Sequence, residues 1–112
     1  MSDCLFCRIA NKELGTEVLM ENDYFMAFSD INPKAPVHVL IIPKKHFQDI
    51  TDIEGDIIAK LPDFIKELSE KLGVSERGFR IITNKGKDGG QIIFHTHFHL
   101  LAGKDLGDLI KE

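Results

Sequence analysis

The sequence predicts an α+β domain built on a mostly antiparallel sheet. Three observations carry that reading. One long stretch, 53–72, repeats apolar residues at helical spacing. Five short runs, 17–21, 25–29, 37–42, 79–84 and 92–102, read as strands bounded by turn residues. The order along the chain is helix, hairpin, strand, long helix, strand, turn, strand, which is neither a strict βαβ alternation nor an all-helical pattern.

The first helix is expected over Cys4–Lys12, capped by Ser2 or Asp3, with Leu5, Phe6 and Ile9 as its apolar stripe and Gly15 ending the segment. Glu17–Glu21 and Phe25–Ser29 are joined by the turn signal Glu21-Asn22-Asp23. Asn32-Pro33 and Ala35-Pro36 mark a loop. The run "VHVLII", Val37–Ile42, has too few polar residues to face water on both sides. Thr51 with Glu54 reads as a capping box opening the main helix, Ile53–Leu72, whose apolar positions include Ile57, Ile58, Leu61, Phe64, Ile65 and Leu68. Pro62 removes one backbone bond inside this stretch, so it should kink the helix or split it in two. Gly73 suits the C-terminal cap. Phe79–Asn84 is a strand, Lys85–Gly90 a tight turn with three glycines, and Ile92–Ala102 the last strand.

The chain has 112 residues, which argues for one domain over 1–112. At this length roughly two-thirds of the unfolded surface can be buried, enough for one modest core. Apolar residues make up 43%, close to the globular average. The net charge of −4 disfavours non-specific nucleic-acid binding, so phosphate recognition must come from local geometry. No apolar run approaches the roughly 20 residues that span a bilayer, and the expectation is a cytoplasmic protein without a membrane partner. Cys4 and Cys7 form a CxxC. In a reducing compartment that spacing points to metal or redox chemistry more than to a structural disulfide. A thioredoxin-like site expects a strand before the motif, and none precedes it here, so metal carries more weight.

The segment "IIFHTHFHLLAG", 92–103, holds three of the five histidines. On a strand, His95, His97, His99 and Leu101 would share one face, and Thr96, Phe98 and Leu100 the other. Neighbouring histidines would sit about 6.6 Å apart and the outer two about 13 Å apart, too far for all three to hold one ion. Two neighbours could bracket a phosphate-sized group. Strand propensity gives no reason to choose three imidazoles, and each needs a partner or water. The rival is a metal site, since HxH pairs on strands ligate several transition metals. A hydrolytic metal site would usually add carboxylates, and residues 90–104 contain none.

"HTHFHLL" resembles the His-x-His-x-His signature of the histidine triad family, apart from Thr96 at an apolar position. "SDINPKAPVHVLIIPKKH", 29–46, and "TNKGKDGGQ", 83–91, resemble two further segments of that family, in the same order. The likeness runs from Cys4 to about Gly103 and is greatest to the Hint branch, purine nucleoside phosphoramidases. It implies a five-stranded antiparallel sheet with two helices, continued across a homodimer. It also implies the ligands: a purine nucleoside monophosphate and its amine conjugates.

Carried over by position, His97 resembles the nucleophile. A neutral imidazole can attack phosphorus and form a nucleotidyl-histidine that water resolves, provided its other nitrogen donates, as to a main-chain carbonyl. His99 would contact phosphate oxygens and stabilise growing charge. His38 would hold the hydrogen-bond order of the triad, or be structural only. Asp30 resembles the carboxylate that accepts from both ribose hydroxyls; its plainer reading is a turn-forming aspartate. Leu5, Phe6, Ile9, Phe28 and Ile31 match an apolar slot for the base, though most would otherwise be read as core. Asn84 and the backbone of Gly89, Gly90 and Gln91 match a phosphate-side loop. Ile92 is a departure: the family usually has a small hydroxyl residue there, thought to serve the leaving group.

Cys4, Cys7, His46 and His95 resemble the zinc set of many bacterial members. Two thiolates from one helical turn and two imidazoles would complete a closed tetrahedral site, structural rather than catalytic. The resemblance implies no catalytic metal. Three functional readings follow: a phosphoramidase, a zinc-stabilised nucleotide-binding adaptor with weak catalysis, which Ile92 favours, and a dinucleoside polyphosphate hydrolase like the Fhit-like branch. The tail, with Leu106, Leu109 and Ile110, is expected to pack across the dimer.

Overall fold

The computed structural model describes residues 3–109. Ser2, offered above as a cap, and Ile110 of the tail lie outside the described residues. Helix α1 (Leu5–Ala10) leads into five strands and a broken second helix: β1 (Met20–Glu21), β2 (Phe25–Ser29), β3 (Val37–Pro43), α2 (Gly55–Ile58), α3 (Leu61–Lys71), β4 (Arg80–Ile82) and β5 (Phe98–Ala102). The strands form one sheet in the order β1-β2-β3-β5-β4, and every neighbouring pair is antiparallel. No helix among the described residues is long and apolar enough to cross a membrane.

Alternation along the strands sorts side chains to two faces. Phe25, Ala27, Val39, Ile41, Phe98, Leu100 and Ala102 pack against Leu61, Phe64 and Leu68 of α3. Met26, Phe28, Leu40 and Ile42 pack against Phe6 and Ile9 of α1. Both faces of β2 and β3 are therefore covered, which is why "VHVLII" lacks outward polar residues. Phe25 and Phe64, buried with ring centroids 5.6 Å apart, join sheet to helix. Burial of each such side chain contributes about 1.5–3 kcal/mol.

Three local expectations change. Cys4, rather than Ser2 or Asp3, is the N-cap of α1, and its sulfur accepts from the Cys7 N–H at 3.4 Å. The capping box at Thr51 and Glu54 does not form. Asp49 takes both the Thr51 N–H (2.8 Å) and its hydroxyl (2.6 Å), and Glu54 pairs with Lys45. The helix starts two residues later than expected, with Glu54 at its N-cap. Pro62 splits the stretch in two. It falls in the first turn of α3, where a missing N–H costs no intrahelical bond. Leu72 caps α3, and Gly73 follows at φ 73°.

Candidate functional site

The last strand is shorter than the sequence predicts. It begins at Phe98, so only His99 of the three histidines lies on regular strand. The segment before it is drawn elsewhere. Thr96 bonds the Phe47 carbonyl twice, through its N–H at 2.7 Å and its hydroxyl at 3.0 Å. Gln91 Nε2 donates to the carbonyls of Gln48 (2.7 Å) and Ile93 (3.1 Å). These bonds replace a strand ladder, and the three imidazoles no longer share one face. His95 turns toward the cysteines, while His97 and His99 face a common cleft with ring centroids 5.2 Å apart.

That cleft encloses about 750 Å³, within the usual range for a small-molecule site. Its lining includes Leu5, Phe6, Ile9, Phe28 and Ile31 as an apolar wall, with Asp30, His38, Asn84, Gly90, Ile92, His97 and His99 as its polar side and rim. Twelve of the fourteen proposed nucleotide or catalytic residues thus converge, all but Gly89 and Gln91. Gln91 does not line the cleft. Its side chain is buried, and its N–H bonds the Gly86 carbonyl, so it braces the glycine loop from behind. Thr16, Lys34, Leu40 and Leu101 also line the cleft and were missed. Leu40 and Leu101 were recoverable from the sequence, because strand alternation places them on the face of His38 and His99. Thr16 and Lys34 sit in loops and gave no signal.

Hydrogen bonds fix which ring nitrogens carry protons. The His97 Nδ1–H donates to the His95 carbonyl at 2.8 Å. A carbonyl only accepts, so the Nε2 of neutral His97 holds a lone pair. The Lys34 N–H donates to His38 Nδ1 at 3.0 Å, which puts the His38 proton on Nε2. That proton is given to His99 Nδ1 at 2.9 Å, which leaves the Nε2 of His99 as its donor. Burial first, then the neighbouring His97 and His38 rings, holds the His99 pKa below the ordinary imidazole value. Asp30 forms the turn of its plainer reading and also approaches the histidines. Its Oδ1 accepts from the Asn32 N–H at 2.8 Å and forms the turn, while Oδ2 lies 3.5 Å from His38 Nε2.

The glycine loop is built for close approach. A Cβ on Gly89 would meet the Lys85 carbonyl oxygen at 2.3 Å, and Gly90 has φ 81°. Asn84 Nδ2 donates to the Gly89 carbonyl at 2.6 Å and closes the turn. Ile92 is 87% exposed at the rim, and Ile31 is 92% exposed.

Cys4, Cys7, His46 and His95 form a second cluster, with one ligand atom from each within 4.8 Å of all the others. His95 Nε2–H donates to the Pro43 carbonyl at 2.9 Å, so the lone pair of neutral His95 is on Nδ1. Three atoms approach that lone pair: Cys4 Sγ at 3.3 Å, Cys7 Sγ at 3.5 Å and His46 Nδ1 at 3.1 Å. One thiol S–H could satisfy it, but not three neighbours. The donor set fits a tetrahedral Cys2His2 ion, with the Pro43 carbonyl fixing the tautomer as an outer partner. Burial pushes the His95 pKa down to about 4, which favours the neutral ligating form.

The HIT domain family model matches residues 11–106. An uncharacterized HIT-like protein of Helicobacter pylori is 44% identical over 99 residues, covering 88% of this chain and 95% of that relative. A histidine triad protein from Clostridium difficile superposes with a TM-score of 0.92 at 42% identity, covering 98% of both chains. A HIT family hydrolase from Clostridium thermocellum gives 0.88 at 43% identity, covering 99% of both. The chain belongs to the HIT domain family. Its two helical segments and five-stranded antiparallel sheet are the fold the resemblance implied.

Proposed function

We propose that the chain is a nucleotide-binding hydrolase that cleaves the P–N bond of purine nucleoside phosphoramidates through a nucleotidyl-histidine. The observation that carries this reading is the pairing of tautomers in the cleft. His97 offers a lone pair at Nε2, and His99 beside it offers a proton at Nε2. His97 Nε2 attacks phosphorus, the P–N bond to the amine breaks, and the amine leaves with a proton from His99 or water. Water then attacks the phosphorus–histidine bond, releasing the nucleoside monophosphate and restoring His97. His99 stabilises charge on the phosphate oxygens. Asp30 accepts from the ribose hydroxyls, the apolar wall holds the base, and Asn84 with the Gly90 backbone borders the phosphate. His38 acts through His99 as a positioning residue.

Cys4, Cys7, His46 and His95 would hold a structural zinc that fastens α1 to the segment before β5. A homodimer through the sheet edge is also part of the proposal. The short edge strand β4 and the exposed Phe79 and Leu109 support it, and light scattering showing a monomer at micromolar concentration would overturn it. The adaptor reading keeps one observation in its favour: Ile92 cannot donate a proton to a leaving group. A steady-state panel decides between the readings. An adenosine phosphoramidate should turn over faster than a dinucleoside polyphosphate. The reverse order favours the polyphosphate reading, and AMP binding without turnover favours the adaptor.

A further inference from the structure

Phe6 stands between the two histidine clusters. On α1 it lies two residues after Cys4 and one before Cys7. Its ring is buried and meets three others edge-on, His97 at 5.1 Å, His95 at 5.9 Å and Phe28 at 5.9 Å between centroids. His95, a member of the quartet, also touches the cleft histidine His97. Its Nδ1 faces the sulfurs, and its main-chain carbonyl accepts from His97 Nδ1. Two physical links therefore run from the Cys/His quartet to His97, one through backbone and one through a packed ring.

We propose that Phe6 and His95 are positioning residues that couple metal binding at the quartet to nucleotide binding in the cleft, so that each ligand tightens the other. The inference rests on the nucleotide reading of the cleft given above. Helix α1 has six residues, too few to be stable by itself. Phe6 and Ile9, its buried residues, also wall the cleft. An ion held by all four ligands would fasten the first turn of α1 to the segment carrying His95 and His97. Without that fastening, an entering nucleotide must order the helix itself, and its affinity falls by that cost. Linkage makes the effect reciprocal: the factor by which zinc tightens nucleotide is the factor by which nucleotide tightens zinc. Edge-to-face contacts depend on a ring, so leucine at position 6 keeps apolar bulk and loses the directional contact.

The test measures both arms of the linkage. Zinc affinity is read by competition with a chromogenic chelator, with and without saturating AMP. AMP affinity is read by calorimetry on zinc-loaded and zinc-stripped protein. The two factors are expected to agree at about tenfold, inside the usual range for coupled sites. Phe6→Leu is expected to bind both ligands with the factor reduced toward one. Ring ¹⁵N shifts of His97 are expected to show one Nδ1–H tautomer in zinc-loaded protein and a mixture after stripping. His46→Ser guards against unfolding of the stripped protein, because His46 is exposed and outside the cleft. It should weaken zinc and AMP binding together while circular dichroism stays native. Equal AMP affinity in loaded and stripped folded protein would overturn the coupling and leave the cleft reading standing. A tenfold factor that persists in Phe6→Leu would overturn the role of Phe6. No AMP binding by zinc-loaded protein would overturn the cleft reading itself, and the coupling with it.

Discussion

In the quartet of Cys4, Cys7, His46 and His95, potential ligand atoms converge: three approach the single lone pair of His95 at 3.1–3.5 Å. In the group of Asp30, His38 and His99, the close contacts pair a donor with an acceptor, from the Lys34 amide through His38 to His99. In both groups, one potential ligand atom from each residue lies within 4.8 Å of the others. In the first, three neighbours share the lone pair of His95; in the second, the lone pair of His99 already has the His38 proton. Metal at the second would have to displace the His38 Nε2 proton and would lose the alignment of His99. The same side chain is thus suited to ligate in one place and to donate a proton in another by what its second nitrogen touches. A carbonyl partner leaves a lone pair on the far nitrogen, and an amide partner leaves a proton there.

The largest effect should come from the proposed nucleophile. His97→Ala is expected to lower kcat/KM on an adenosine phosphoramidate by more than about a hundredfold, because losing a covalent route raises the barrier by several kcal/mol. AMP binding should be largely kept. A variant that retains more than about a hundredth of the rate excludes the covalent role.

Breaking the Cys/His quartet comes next. Purified protein should carry about one zinc per chain, and Cys4→Ser should lose both metal and thermal stability, since metal binding free energy is folding free energy. Elemental analysis finding no zinc in protein prepared without chelators would remove the contrast between the clusters. His38→Phe is the matching change in the proton-bearing cluster. It leaves the Lys34 amide and His99 without their partner, at about 1–3 kcal/mol, and should slow turnover roughly tenfold to a hundredfold. Zinc content should not change. An unaltered rate would make His38 structural only.

Acid should separate the clusters further. His95 falls to about 4 and His99 also lies below the ordinary value of 6.5, both chiefly through burial. Both bind protons less readily folded than unfolded, so their contribution to stability is complete above pH 6.5 and is lost as pH falls through the folded values. Thermal melts of metal-stripped protein should show the melting temperature dropping from pH 6.5 toward 4. A flat profile would mean that neither ring is desolvated as described.

The smallest effect concerns the rim. Ile92→Ser should speed alkyl-amine substrates more than aryl-amine ones, because a basic leaving group needs the proton more. At 87% exposure, a hydroxyl there meets no packed site, so a uniform slowing from lost packing is not expected. Equal effects on both substrate types, measured as kcat/KM, would show that position 92 does not serve the leaving group.

The sequence by itself determined what depends on near neighbours and on periodicity. Phe25–Ser29 is a strand with the bounds its residues predict. The alternation of "VHVLII" and "FHLLA" puts Leu40 with His38 and Leu101 with His99, because side chains on a strand repeat every two residues; the register of the two strands then brings both pairs to one face. Pro62 divides the second helix for a reason local to its own ring. The pairing of CxxC with His46 and His95 was legible only through resemblance. Tertiary structure decided the rest. Thr96 bonds Phe47, 49 positions away, and His95 bonds Pro43, 52 positions away. Those bonds end the last strand early, turn His95 from the cleft to the sulfurs and fix its tautomer. Asp49 takes the Thr51 hydroxyl that a capping box needs, and Gln91 turns inward to brace a loop. A buried polar group bonds whichever partner the fold brings within about 3 Å, and no local pattern states which partner that is.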